Sequence, residues 1–281
     1  MASAGGSIRA LLRSAIGAAA SPGVPRLDAE LLLASVLQCG REHLYANPGE
    51  LVAPGPARDF SLLLHQRRLG IPLAYLTGER EFWSLPLLVS RDTLVPRPET
   101  ELLVGLALEA LPGDPAGEVL DLGTGCGAIA LAIASERPRT AVTAADLSAE
   151  ALAMAARNVQ RLALDNVRLL RSDWFGAMQG RRFHVIVSNP PYVHGHDPRL
   201  SGELRFEPRL ALDGGHGGLD CIRRIVSAAG GHLERHGVLL VEHGHDQGRL
   251  VRELFGLAGF RQVRTDPDLA GLDRVTIGLA P

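Results

Sequence analysis

The sequence predicts an α/β protein: a doubly wound parallel sheet preceded by a helical module and a β-hairpin linker. Three observations carry this expectation. From about residue 99 onward, short apolar runs of strand type alternate with helical periodicity. One such run, Val119-Leu120-Asp121-Leu122, passes into the glycine-rich turn Gly123-Thr124-Gly125-Cys126-Gly127 and then into a helix. A later run, Phe183-His184-Val185-Ile186-Val187-Ser188, ends in Asn189-Pro190-Pro191-Tyr192, a tetrad that is rare by chance.

Taken in order, the elements begin with helices. Ile8, Leu11, Leu12 and Ile16 share one helical face. Residues 1–27 also carry Arg9, Arg13 and Arg26 with no acid, a composition shared with mitochondrial transit peptides, but the apolar face favours a structural helix. Leu27, Leu31, Leu32, Val36 and Leu37 form a second stripe, and Phe60 to Arg68 a further helix, with Pro48, Pro54 and Pro56 punctuating the connections. Residues 1–78 contain no catalytic constellation and read as a recognition module. In residues 79–98, β-formers fall in three runs: Glu81-Phe82-Trp83, Leu87-Leu88-Val89 and Thr93-Leu94-Val95, the last stopped by Pro96. The third segment, 99–281, holds the alternating elements, expected at 118–122, 128–136, 141–146, 149–162, 167–171, 183–188, 220–235, 238–242, 247–258, 261–265 and 274–279.

Composition removes several function classes. Hydrophobic residues make up 46% and the formal net charge is −2, so no global field draws the chain to nucleic acid. All 29 basic residues are arginines, which leaves room for a local arginine face toward a negatively charged partner. Cys39, Cys126 and Cys221 are widely spaced without a CxxC, so neither a zinc site nor a disulfide framework is expected, and a reducing cytoplasm fits. No apolar run approaches the roughly 18 residues that span a membrane.

The two motifs carry the chemistry. Glycines 123, 125 and 127 permit a tight turn and a close approach of backbone to ligand. Their G-x-G-x-G spacing does not meet the dinucleotide fingerprint. Asp146 ends the next apolar run, where a carboxylate accepts both hydroxyls of a ribose. In the tetrad, two prolines stiffen the chain and remove two donors, so the Asn189 side-chain oxygen and the Pro190 carbonyl stand as fixed acceptors. A planar NH2 group offers two hydrogens to them, and Tyr192 can cover its flat face. The tetrad is thus a candidate clamp for an amide or an exocyclic amine.

A nucleoside site without the dinucleotide pattern, followed by an amine clamp at a later strand end, resembles the class I S-adenosylmethionine-dependent methyltransferases, which are Rossmann-like. Further segments narrow the resemblance. Arg67-Arg68-Leu69-Gly70-Ile71-Pro72-Leu73-Ala74-Tyr75-Leu76-Thr77-Gly78, Glu81 to Leu87, Pro96-Arg97-Pro98-Glu99-Thr100-Glu101, Ser172-Asp173-Trp174-Phe175, Arg205-Phe206-Glu207-Pro208 and Val241-Glu242-His243-Gly244 are together similar to the HemK/PrmC family, the peptide chain release factor glutamine N5-methyltransferases. The similarity runs in order over roughly residues 8 to 279.

That resemblance implies S-adenosyl-L-methionine as cofactor and class I peptide chain release factors as partners, contacted by the helical module, with no direct nucleic acid and no membrane. It implies an antiparallel final strand. It implies a cofactor site at Gly123, Thr124, Gly125, Cys126, Gly127, Asp146, Asp173, Trp174 and Asn189, with Asp173 accepting from the adenine amine and Trp174 or Phe175 packing on the ring. Asn189, Pro190, Pro191 and Tyr192 would hold the substrate, with Asn189, Pro190 and Tyr192 as the catalytic set. Arg97 and Glu99 are candidate gates, Phe206 to Pro208 a substrate-facing loop, and His194 and His196 candidates for its mouth. His243 and His245, two apart without other clustered ligands, are a weak metal signal, and His243 at a strand end is expected to be a satisfied polar group. An adenine N6-methyltransferase is the alternative enzyme, because adenine's exocyclic amine looks like a carboxamide to this clamp. The net charge and the helical module speak against it. A non-catalytic nucleotide-binding protein or assembly scaffold is a third reading, opposed by an intact clamp beside an intact glycine turn.

Overall fold

The structure is a computed structural model that describes residues 6–16, 23–111, 117–195, 197 and 202–281. It divides into two compact units, Met1–Glu79 and Arg80–Pro281.

The first unit is helical: α1 (Ile8–Ile16), α2 (Arg26–Leu37), α3 (Arg41–Ala46), α4 (Pro54–Arg68) and α5 (Leu73–Thr77). Proline sets three of the starts: Pro25 and Pro72 precede α2 and α5, and Pro54 opens α4, where its missing N–H costs nothing. Ile8, Ala15, Leu32, Leu33, Leu44, Ala57, Phe60 and Leu64 form its core. The stripe expected on α2 is rotated: Leu27 is exposed, whereas Ala29, Leu32 and Leu33 are buried. Glu30 is buried on the same helix. Burial opposes its ionisation, but hydrogen bonds from Arg26, Arg41 and Tyr45 outweigh that and hold its carboxyl at about 2. α3 and α5, six and five residues long, are too short to show a period in the sequence.

The second unit opens with the hairpin β1 (Glu79–Phe82) and β2 (Leu85–Leu88), joined through Trp83 and Ser84, both at positive φ as a two-residue turn between twisted strands requires. The third run expected here, Thr93-Leu94-Val95, is not a strand. Its Val95 N–H is taken by the Glu207 carboxylate at 2.9 Å, and Pro96 has no N–H to offer. The hairpin is pinned to the sheet domain by Asn158, whose side chain bonds both the N–H and the C=O of Leu88 and also the Cys126 carbonyl. α6 (Glu101–Ala110) follows a short 3-10 turn and lies outside the elements read from the sequence.

The remaining elements are β3 (Glu118–Leu122), α7 (Ala128–Glu136), β4 (Ala141–Asp146), α8 (Ala149–Leu162), β5 (Val167–Arg171), β6 (Phe183–Ser188), α9 (Asp220–Ala229), β7 (Leu233–Glu242), α10 (Gly248–Leu257), β8 (Arg261–Pro267) and β9 (Asp273–Leu279). They build one seven-stranded sheet in the order β5-β4-β3-β6-β7-β9-β8. All neighbours are parallel except those of β9, the final strand, which is antiparallel to β7 and β8. The helix expected over 220–235 stops at Ala229, because Gly230 and Gly231 break it and β7 begins at Leu233, earlier than expected.

Strand order reverses between β3 and β6, which opens a crevice at their carboxyl ends. Register fixes what meets there. Leu122 pairs with both Ala145 and Ser188, Asp146 with Arg171, and Ser188 with Val241. Gly123, Asn189 and Glu242, which follow, and Asp146 therefore emerge at one level along one edge of the sheet, with Ser172 one residue beyond.

Candidate active site

The glycine turn is shaped from both sides. Gly123, Gly125 and Gly127 all have positive φ, at +76°, +58° and +93°. The N–H groups of Gly123 and Thr124 donate to the Ala145 carbonyl, and that of Gly125 donates to Asp146 Oδ2 at 2.9 Å. A Cβ on Gly127 would sit 2.9 Å from Leu131, so this glycine serves packing, whereas one on Gly125 would meet nothing within 4 Å. Gly125 thus presents bare backbone to the cavity. Beneath the turn, buried Asp121 accepts from Thr124 Oγ1 at 2.6 Å and from the Ala130 N–H at 3.2 Å. Burial pushes its carboxyl up to about 7 against those two bonds.

Asp146 stands at the end of β4. Its Oδ2 takes the Gly125 N–H and its Oδ1 the Ser148 N–H, each at 2.9 Å. Burial raises its pKa, opposed by these backbone donors. A cavity of about 240 Å³ opens over these groups, walled among others by Gly123, Gly125, Asp146, Asp173, Trp174 and Asn189. Of the expected cofactor residues, Thr124, Cys126 and Gly127 do not line it. Thr124 is tied to Asp121, and Cys126 is buried, its thiol pushed up to about 12 by desolvation. Trp174 adopts positive φ (+48°), with Ser172 Oγ bonded to its carbonyl and its ring edge 3.8 Å from where a Gly123 Cβ would be. Phe175 instead turns into the core and stacks on His232 with ring centroids 4.6 Å apart. Asp173 pairs with Arg224 across 3.0 Å, and Arg224 lines the same cavity; no local motif marks this partner in the sequence.

A second cavity lies on the other side of Asn189. Its walls are Leu94, Arg97, Asn189, Pro190, Tyr192, Val193, Leu204, Ala211 and Leu212. Asn189, Leu94 and Ala211 belong to both cavities, so the two meet at the head of the tetrad. Asn189 Nδ2 donates to Thr100 Oγ1 at 3.2 Å, which leaves its oxygen for an incoming donor. Arg97 is held by an ion pair to Glu207, which also takes the Val95 N–H. The 202–211 segment contributes Leu204 to the second cavity, Pro208 and Leu210 to the first, and Ala211 to both. Glu99 is exposed and lines neither cavity, and the same holds for His194. His196 lies outside the described residues. His243 is buried: one ring nitrogen donates to the Gly244 carbonyl at 2.9 Å and the other bonds the Thr276 hydroxyl at 2.9 Å, and burial lowers the pKa of the ring.

Behind Tyr192 lies Glu242, almost fully buried, with the Tyr192 hydroxyl 3.4 Å from its Oε1. Burial pushes Glu242 up to about 7; the Thr100 hydroxyl, Arg274 and the Tyr192 hydroxyl favour its charge and Glu99 opposes it. Burial, then the charge of Glu242, pushes Tyr192 up. In the unfolded chain a glutamate titrates near its ordinary value, so between about pH 4.5 and 7 the folded form binds more protons. Stability from this group is present at low pH and lost as pH rises through 7. Glu242→Gln removes the charge, so its melting temperature relative to wild type is expected to rise between pH 5 and pH 8.5, by the equivalent of a few kcal/mol. Parallel melting curves across that range would show that Glu242 does not titrate in the fold.

A glycine turn with bare backbone, a carboxylate at the next strand end and a second cavity meeting the first at one asparagine define a class I S-adenosylmethionine-dependent methyltransferase. The family model of the methyltransferase small domain matches residues 99–206 and that of the PrmC N-terminal domain residues 10–78. The chain is 54% identical to the release factor glutamine methyltransferase of Pseudomonas aeruginosa, covering 90% of this chain and 92% of that one. It is 47% identical to that of Escherichia coli, covering 95% and 96%. It therefore belongs to the release factor glutamine methyltransferase family. Among solved structures, the fold resembles a Pyrococcus furiosus methyltransferase (TM-score 0.52, 22% identity, 70% of this chain and 89% of that one). It also resembles a Thermus thermophilus 16S rRNA guanine methyltransferase in complex with AdoMet and guanosine (TM-score 0.53, 21%, 72% and 50%).

Proposed function

We propose that this chain methylates the side-chain amide nitrogen of the glutamine in the Gly-Gly-Gln motif of class I peptide chain release factors, in the cytoplasm, using residues 1–78 to recognise the release factor. The single observation that carries the chemistry is the meeting of the two cavities at Asn189. The donor set fits the cofactor: the bare backbone at Gly125 suits close approach, Asp146 suits the ribose hydroxyls, Trp174 suits a flat ring, and Asp173 suits an adenine amine once it shares its oxygens with Arg224. When bound, S-adenosylmethionine supplies an electrophilic sulfonium methyl.

The residues of this chain do the rest. An amide nitrogen is a weak nucleophile because its lone pair is delocalised into the carbonyl. Asn189 Oδ1 and the Pro190 carbonyl accept the two N–H hydrogens and turn the nitrogen toward the first cavity. On methyl transfer, positive charge would grow on the amide nitrogen, and both acceptors would hold it more strongly than they hold the ground state. Tyr192 lies along the acceptor, and Leu94, Leu204 and Leu212 exclude water around its methylenes. The surplus proton leaves to water after transfer. Alignment alone contributes several kcal/mol, within a ceiling of about 7–11.

The deciding experiment incubates the protein with labelled cofactor and, separately, intact release factor or DNA. Label on the release factor glutamine is expected. Label on DNA adenine alone would replace this reading with the alternative. At the cofactor site, Asp146→Ala is expected to weaken cofactor binding about 10- to 100-fold, since charged hydrogen bonds are worth about 1.5–3 kcal/mol each. Calorimetry showing unchanged affinity would remove Asp146 from the ribose role.

A further inference from the structure

The end of β7 and the turn that leaves it carry two buried side chains that the mechanism above leaves unused. The first is Glu242, with 1% of its surface exposed. Its Oε1 meets the Tyr192 hydroxyl, and its Oε2 is buried without a hydrogen bond among the described residues. The second is Gln247, also buried. Its Oε1 accepts the Gly244 N–H at 2.8 Å, and its Nε2 donates to the carbonyls of Tyr192 (3.2 Å) and Gly217 (3.1 Å).

The glycine segment next to them presses on the same stretch of chain. A Cβ at Gly218 would lie 2.2 Å from the Tyr192 carbonyl oxygen, and one at Gly214 would lie 2.6 Å from that of Pro191. Tyr192 is thereby held at its hydroxyl, at its carbonyl and along its backbone. A carboxylate with an unsatisfied oxygen is an expensive way to fill this space; a leucine would pack there without the desolvation penalty. The one hydrogen bond that the Glu242 side chain makes among the described residues goes to the clamp, at the Tyr192 hydroxyl.

We propose that Glu242 is a positioning residue of the methyl-acceptor clamp, holding the Tyr192 ring by its hydroxyl, with Gln247 fixing the Tyr192 carbonyl. The proposal rests on Asn189 and Tyr192 being the clamp. It also gives the Val241-Glu242-His243-Gly244 segment a role, since the strand beside β6 then braces the residues that β6 delivers to the site.

The test uses the full chain with intact release factor and compares Tyr192→Phe, Glu242→Gln, Glu242→Leu and the Tyr192→Phe/Glu242→Leu double variant with wild type and Asn189→Ala. Tyr192→Phe keeps the ring and removes only the hydroxyl that Glu242 holds. It is expected to lower kcat about tenfold, and Glu242→Leu up to about 100-fold, as small displacements from a reactive geometry do. KM for release factor and Kd for the cofactor should stay within about twofold of wild type. Glu242→Gln, which still accepts from the hydroxyl, should retain kcat within about threefold. The double variant should lose less than the product of the single losses. Wild-type kcat in Tyr192→Phe overturns the proposal, and this variant reads out even if Glu242→Leu does not fold. Multiplying losses, or losses that appear in Kd or KM instead of kcat, also overturn it. Failure of wild type itself to label the release factor would instead sink the function proposed above, so the two failures are distinct.

Discussion

Replacing Asn189 with alanine is expected to slow methyl transfer by about 10²–10³, the cost of removing one hydrogen-bonding group from a developing charge. The position of the residue makes the effect specific. Asn189 follows Ser188, the last residue of β6, which pairs with Leu122 just before the glycine turn. One hydrogen of its Nδ2 goes to Thr100, and its oxygen is the side-chain atom that can accept from the reacting amide. The alanine variant keeps the Pro190 carbonyl and the apolar walls of the acceptor cavity, and substrate should still enter. It keeps Gly125, Asp146 and Trp174, so cofactor affinity should stay near that of wild type. Single-turnover rates with release factor, beside calorimetry with the cofactor, separate the two quantities. Near-normal turnover would exclude Asn189 as the acceptor of the reacting amide. A parallel fall in cofactor affinity would mean that its role lies in the first cavity.

The sheet was legible because its strands are continuous apolar runs closed by turn residues, and each expected strand from 118 onward has its counterpart. Part of what the sequence signals missed depends on partners far along the chain. Thr93-Leu94-Val95 has strand composition, but its Val95 N–H goes to Glu207, more than a hundred residues away. α6 is apolar on most sides, with Leu103, Val104 and Ala107 buried, and so shows little periodicity. In the site, the glycine turn, Asp146 and the tetrad announce themselves by local spacing. Thr100, Arg224, Glu242 and Gln247 do not, because each matters only through the residue it meets across the fold. Glu242 and Gln247 flank two histidines whose spacing is only a weak metal signal. His243 bonds the Gly244 carbonyl and Thr276, the satisfied polar role expected of it, and the residues that touch the clamp stand beside it.

The other large effect concerns residues 1–78. A chain beginning at Glu79 is expected to fold and to bind the cofactor with near-normal affinity. The hydrophobic cluster around β3, β6 and β7 runs from Leu120 to Ala280, and the cluster of the first unit has its own core from Ile8 to Leu64. The residues that wall the two cavities begin at Asp92 and Leu94. On intact release factor the truncated protein should nevertheless lose catalytic efficiency by about 100-fold, equivalent to about 3 kcal/mol of contact energy. The acceptor cavity is small and its walls are mostly apolar, so it holds a glutamine side chain but offers little surface to a large folded partner. Binding energy gathered away from the reacting amide must then come from elsewhere on the chain. A short Gly-Gly-Gln peptide cannot reach such a surface, so full-length and truncated proteins should treat it equally, and both poorly. The measurement is kcat/KM of both proteins on both substrates, after circular dichroism has shown that the truncated chain is folded. Equal efficiencies on intact release factor would assign the helices to another role, such as stabilising the fold or pairing two copies of the chain.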